Sequence, residues 1–159
     1  MQFALDKVLI RGAGKIGATL ADMLVELYGT QVTLADMHPP STHGDPQLHP
    51  LQLDVQDDAA LASVLNQHPL VINALPFFCA ARVATAAAQR GVHYFDLTED
   101  VAATRTIRAL APRARAVLMP QCGLAPGLIG MLGGHLAGQF DEPYDLQLRV
   151  GALTLHALN

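Results

Sequence analysis

KVLIRGAGKIG, residues 7–17, decides the fold. A short apolar strand over 7–10 runs into Gly12-x-Gly14-x-x-Gly17. A helical pattern then opens, with Ala18, Leu20, Met23, Leu24 and Leu27 on one face. With a strand before them and a helix after, three glycines at this spacing have the context that binds a dinucleotide. Gly12 permits the tight turn, Gly14 lets backbone approach a pyrophosphate, and Gly17 lets helix and strand pack closely. The exposed N–H groups and dipole at the helix start favour an anion. The competing assignment is a glycine-rich strand-to-helix turn with no ligand, so the remaining chain must decide.

Working outward, a helix over 15–28 is stopped by Gly29, and the apolar strand 31–36 ends in Asp36. Asp36 lies about twenty positions beyond the glycine turn, where a dinucleotide fold places the acid for the adenosine ribose. Its carboxylate can accept from two ribose hydroxyls, each hydrogen bond worth about 0.5–3 kcal/mol. Against a 2′-phosphate it meets a like charge, costing about 4 kcal/mol per unit pair at about 4 Å and an effective dielectric near 20. Met37, His38, Pro39 and Pro40 follow, with no Arg to welcome that phosphate. The expected cofactor is therefore NAD in preference to NADP.

Residues 37–50 read as a Pro- and His-rich surface loop. His38, His43 and His49 match no compact ligand spacing, so no metal is expected. A third strand is placed at 51–54. Asp54 at its end is a candidate for the adenine edge or a plain strand end. Asp57 is expected to cap a helix over 58–66. The strand 70–73 is continuously apolar before Asn73, as in a sheet covered on both faces. Asn73, Ala74, Leu75 and Pro76 then form a small, kinked passage for a dinucleotide. Phe77 and Phe78 either wall the nicotinamide side or pack in the core. An alanine-rich helix over 79–90 ends at Gly91.

The fifth strand, 92–96, leads through 97–100 into a helix over 101–110. Thr98 is the expected cap, with Glu99 and Asp100 well placed in the first turn. A sixth strand spans 115–119. A loop with Cys122 and Gly123 follows, then a glycine-faced helix with Pro126 in its first turn. Residues 144–151 alternate apolar and polar like a half-exposed strand of a different sheet. Strands alternating with helices imply a Rossmann α/β fold, a doubly wound parallel sheet of about six strands. Right-handed crossovers gather all strand ends on one edge, where such sheets bind ligands. His93, at a strand start, lies on the other edge and is not nominated.

Composition narrows the classes. Of 159 residues, 51% are apolar and 15% charged, which suits a packed globule. Net charge is −4 with scattered Lys and Arg, so no nucleic-acid stripe is expected. Cys79 and Cys122 fit no disulfide spacing, and residues 1–7 lack a signal peptide's pattern; a reduced cytoplasmic protein is expected. Residues 124–138 carry Gly130, Gly134 and Gly138 at membrane-helix spacing, yet a span needs about twenty apolar residues. Close packing on a sheet or partner explains these glycines without a membrane.

Four stretches carry a resemblance: GAGKIG at 12–17, VINALPF at 71–77, GVHYFDLTED at 91–100 and CGLAPGL at 122–128. Together they are similar to the saccharopine dehydrogenase-like family, which includes lysine 6-dehydrogenase and carboxynorspermidine dehydrogenase. RVGAL at 149–153 resembles that family's passage into a second domain. The resemblance implies an NAD(P)-dependent oxidoreductase acting on a C–N bond of an amino acid or polyamine, working as a homodimer. It divides the chain into a cofactor domain, 1–140, and the start of a substrate and dimerisation domain, 141–159, that opens with a strand. Gly12, Ala13, Gly14, Lys15, Ile16, Gly17 and Asp36 would hold the cofactor. Asn73, Ala74, Leu75 and Pro76 would pass its nicotinamide half. Thr98, Glu99 and Gly123 would border the substrate. Amine oxidation needs a group to take the amine proton and later activate water. Glu99 and Asp100 are the carboxylates nominated, against their competing role at a helix start. The rival class is a stand-alone dinucleotide-binding sensor module of the potassium-uptake type.

Overall fold

The computed structural model describes residues 6–39 and 44–151. Among them the chain alternates β1 (Lys7–Arg11), α1 (Lys15–Tyr28), β2 (Gln31–Asp36), β3 (Leu48–Gln52), α2 (Asp58–Leu65) and β4 (Leu70–Asn73). It continues with α3 (Ala80–Arg90), β5 (His93–Asp96), α4 (Val101–Leu110), β6 (Leu118–Met119) and α5 (Leu128–Ala137). The strands form one sheet in the order β3-β2-β1-β4-β5-β6, and every pair is parallel. The expected doubly wound sheet of six strands is therefore present. The chain reverses its direction of travel between β1 and β4, and the crevice at that switch point faces the glycine turn.

Strand alternation sets the two cores. Val8 and Ile10 point to the α1 side, with Ala21, Val32 and Leu34. Leu9 points to the opposite side, with Val71, Val83, Tyr94 and Ile107. Each of these residues is at most 1% exposed. Burial on both faces explains why the central strands read as unbroken apolar runs. Two helices stop where expected: Gly29 and Gly91 adopt left-handed φ of 64° and 69° and donate to carbonyls of the last turn.

Several expectations need correction. The third strand begins at Leu48, three residues before its expected start, and takes in His49 and Pro50. It pairs Leu34 with Pro50 and, among the described residues, has no neighbour on its outer side. An edge strand tolerates a residue without an N–H, so the proline did not break it. Asp54 consequently lies beyond the strand, where its Oδ1 accepts from the Gln56 amide at 2.8 Å. His43 and Pro40 lie outside the described residues. The sixth strand is only two residues long, because the Val117 N–H donates to the His93 ring Nδ1 at 3.0 Å.

Cys79 belongs to a short 3-10 turn, Phe77–Cys79, that precedes α3. The α5 helix starts at Leu128, beyond Pro126. Residues 123–127 fold back on themselves, with the Leu128 N–H donating to the Gly123 carbonyl at 2.9 Å. Residues 144–151 form no strand. A ladder requires a partner strand, and Leu146 and Leu148 instead lie over Gly133 of α5. Ala152 and Leu153, the end of the RVGAL stretch, lie outside the described residues. Among the described residues no helix is long and apolar enough to cross a membrane.

Candidate functional site

The three glycines of the turn do different work. Gly12 has a φ of 98°, and a Cβ there would stand 2.8 Å from the Ala74 carbonyl carbon and oxygen. A Cβ on Gly17 would stand 1.8 Å from the Gly12 carbonyl oxygen. Both glycines are therefore demanded by the protein itself. Gly14 is not: its backbone is extended, with φ −68° and ψ −177°, and a Cβ there would meet nothing within 4 Å. Open space at the mouth of an uncapped helix suits an anion approaching bare main-chain amides. Lys15 and Ile16 border that space as exposed residues of the first turn.

The turn is tied to the neighbouring strands. The Gly12 N–H donates to the Ala35 carbonyl at 2.9 Å, and the Ala74 N–H donates to the Arg11 carbonyl at 2.7 Å. The Ala13 N–H donates to Asp36 Oδ2 at 2.8 Å, and the His38 N–H donates to Asp36 Oδ1 at 3.0 Å. Burial alone would raise the Asp36 carboxyl. Those amides and the charge of Arg11 outweigh it and hold the group below its usual value. Each carboxylate oxygen keeps a further lone pair for a ribose hydroxyl.

Arg11 was not foreseen. It is 1% exposed, and among the described residues its guanidinium donates only to the Leu53 carbonyl at 3.4 and 3.5 Å and its Nε has no partner. A positively charged residue in an apolar strand was the available signal.

Beyond the switch point lies a cavity of about 390 Å³ lined by Asn73, Ala74, Leu75, Phe77 and Ile16 on one side. Asp96, Leu97, Thr98, Glu99 and Asp100 form the other wall. Pro76 starts the 3-10 turn that carries Phe77. Phe77 and Phe78 meet edge to face at 5.7 Å. They are 57% and 70% exposed, which excludes core packing. Thr98 does not cap α4. Asp100 does, its Oδ1 accepting from the Ala103 N–H at 2.7 Å. Thr98 Oγ1 instead accepts from the Asp100 N–H at 3.2 Å. Glu99 stands exposed on the cavity rim.

Gly123 and Cys122 line a neighbouring apolar groove with Leu20, Leu128 and Met131. The Cys122 thiol donates to the Met119 carbonyl at 3.2 Å. Burial, and then the nearby Asp96, push its pKa up. Asp54 is exposed and stands apart from this cavity.

Sequence reasoning also missed the polar cluster beneath the cavity. Tyr94 OH donates to Asp96 Oδ2 at 2.6 Å, and Asn73 Nδ2 donates to Tyr94 OH at 3.4 Å. Asn73, Tyr94 and Asp96 are each at most 2% exposed. A carboxylate two residues after Tyr94, on the same face of one strand, was the available signal.

Fold and glycine turn together define a Rossmann α/β dinucleotide-binding domain. The chain matches the family described as the saccharopine dehydrogenase NADP binding domain over residues 8–119, and it belongs to that family.

Among curated proteins it is similar to the saccharopine dehydrogenase [NADP(+), L-glutamate-forming] of Pyricularia oryzae. Identity is 30% over 129 residues, 79% of this chain and 28% of that one. The protein of the same description from Schizosaccharomyces pombe is 24% identical over 128 residues, 78% of this chain and 28% of that one. The chain thus spans under a third of the length of these relatives. Among solved structures, apo saccharopine dehydrogenase (L-Glu forming) from Saccharomyces cerevisiae superposes with a TM-score of 0.68 and 26% identity. It covers 84% of this chain and 32% of that one. MoeE5 in complex with UDP-glucuronic acid and NAD shares the fold, with a TM-score of 0.59 and 21% identity over 72% of this chain and 53% of that one. The sensor-module alternative is not favoured by this family membership.

Proposed function

We propose that this chain holds the dinucleotide of an oxidoreductase acting on the C–N bond of an amino acid or polyamine. Gly14 carries the reading: its missing side chain answers to nothing in the protein and leaves the first-turn amides open to a pyrophosphate. The residues present fit the cofactor. The amides of Gly14, Lys15, Ile16 and Gly17 would face the phosphates, while the Ala13 N–H holds Asp36 in place for the adenosine ribose. Asn73, Ala74, Leu75 and Pro76 would guide the nicotinamide half into the cavity. The cofactor supplies hydride acceptance. The chain supplies placement, and Glu99 at the rim supplies a carboxylate to take the amine proton. Asp100 is the weaker nominee, since its side chain is spent on the cap.

We infer NAD as the preferred cofactor. Asp36 supports this by charge, although the matched family and both curated relatives carry NADP in their descriptions. The substrate side, a domain boundary near residue 140, a cytoplasmic setting and a homodimer complete the proposal. Residues 144–151 form no strand and so offer no sheet edge for a dimer to pair on. The exposed Leu128, Met131 and Leu136 of α5 support it instead. The test is titration with NADH and NADPH, then NADH formation across amino acids and polyamines. NADPH binding more tightly than NADH overturns the cofactor assignment, and no binding of either overturns the function.

A further inference from the structure

We propose that Asp96 is the positioning residue of the substrate-side cavity. It is a buried carboxylate that keeps loops 97–100 and 121–127 in register with each other. This rests on the function proposed above.

Asp96 ends β5 and is 1% exposed. Its Oδ1 accepts from two main-chain amides, Thr98 and Gln121, each at 3.0 Å. Its carbonyl accepts from the Cys122 N–H at 2.7 Å. Its Oδ2 accepts from the Tyr94 hydroxyl at 2.6 Å. One residue thus joins the loop that carries Thr98 and Glu99 to the loop that runs to Gly123. Gln121 has a φ of 66°, a left-handed conformation that a residue with a Cβ seldom adopts. The bond from its amide to Asp96 helps to hold that turn. Burial, then the adjacent Asp96, keep the Tyr94 phenol protonated, so it remains a donor.

Asn at position 96 would set an NH2 group against one of these donors, leaving two donors facing each other. The bonds of the glycine turn, Ala13 to Asp36, Gly12 to Ala35 and Ala74 to Arg11, are separate from this cluster. The adenosine and nicotinamide halves of a cofactor would therefore respond differently.

ADP-ribose fills the adenosine half without a nicotinamide. Calorimetry with ADP-ribose and NADH, the emission of bound NADH, and thermal melting test the proposal on wild type, D96N and Y94F. For D96N the expected result is an ADP-ribose Kd within about twofold of wild type, with NADH affinity and emission enhancement reduced at least about fivefold. Y94F, which keeps both amide bonds to Oδ1, is expected to change in the same direction by less. Unchanged NADH binding and emission in D96N overturn the proposal. So does an equal loss of ADP-ribose and NADH in a folded protein, because that is a fold-wide effect. If D96N does not fold, Y94F decides: a drop in NADH affinity and emission with the ADP-ribose Kd held supports the proposal, and unchanged NADH binding, or an equal loss of both ligands, overturns it. A wild-type chain that binds neither ligand overturns the cofactor reading and this one with it.

Discussion

Gly14→Val separates a residue the ligand requires from one the fold requires. The Gly14 backbone is extended, a region β-branched residues favour, and among the described residues a Cβ there would meet nothing within 4 Å beyond its own chain neighbours. Folding stability should therefore hold, or rise slightly as the unfolded chain loses freedom. Two methyl groups would occupy the approach to the helix start. If the displaced pyrophosphate loses two charge-assisted hydrogen bonds at about 1.5–3 kcal/mol each, the total is about 3–6 kcal/mol. That corresponds to about 10²- to 10⁴-fold in the NADH Kd. Calorimetric titration paired with thermal melting reads both quantities. Gly17→Ala is the opposite control, since its Cβ would stand 1.8 Å from the Gly12 oxygen; there melting should fall. NADH affinity unchanged in a normally melting Gly14→Val protein would refute the reasoning.

Asp36→Ser should narrow the NADH over NADPH preference by at least about tenfold, because a charge term of about 4 kcal/mol is removed and screening absorbs part of it; an unchanged ratio in paired titrations counts against the assignment. Glu99→Gln should lower turnover by about 10²- to 10⁴-fold, the usual contribution of a positioned proton acceptor, with melting unchanged. Asp100→Ala should instead cost about 1 kcal/mol of stability through the lost cap. His68 bridges β2 and α2: its Nδ1 lies 2.8 Å from the Val64 carbonyl, and its Nε2 2.8 Å from Thr33 Oγ1. Burial, with a smaller effect of Lys7, lowers its pKa below 6.5. The unfolded chain then takes up the proton first, so this contribution is whole above about pH 6.5 and declines as pH falls. Melting temperature against pH should show that decline, and His68→Gln should flatten it.

Most of the frame was legible because its determinants are local. The glycine turn, the helix behind it and the strand closing at Asp36 depend on neighbours in sequence, and their limits fall as read. The errors arose where a distant partner decides. Pro50 reads as the end of a surface loop, but its place at the sheet edge lets it join the strand. Thr98 and Asp100 both look like caps. The fold gives the cap to Asp100 because Thr98 is drawn down toward Asp96. The alternation at 144–151 was visible, but the partner strand a ladder needs is not among the described residues. Asp96 depends on Gln121, 25 positions away in sequence, and no local pattern announces such a bond.

The outermost strands have a consequence for solubility. On one flank, Pro50 withholds a donor from any foreign chain trying to add itself. On the other, Leu118–Met119 is too brief a template to nucleate growth. Crowded copies of this domain thus have little means of polymerising rail to rail, and stickiness at high concentration should trace to helix surfaces.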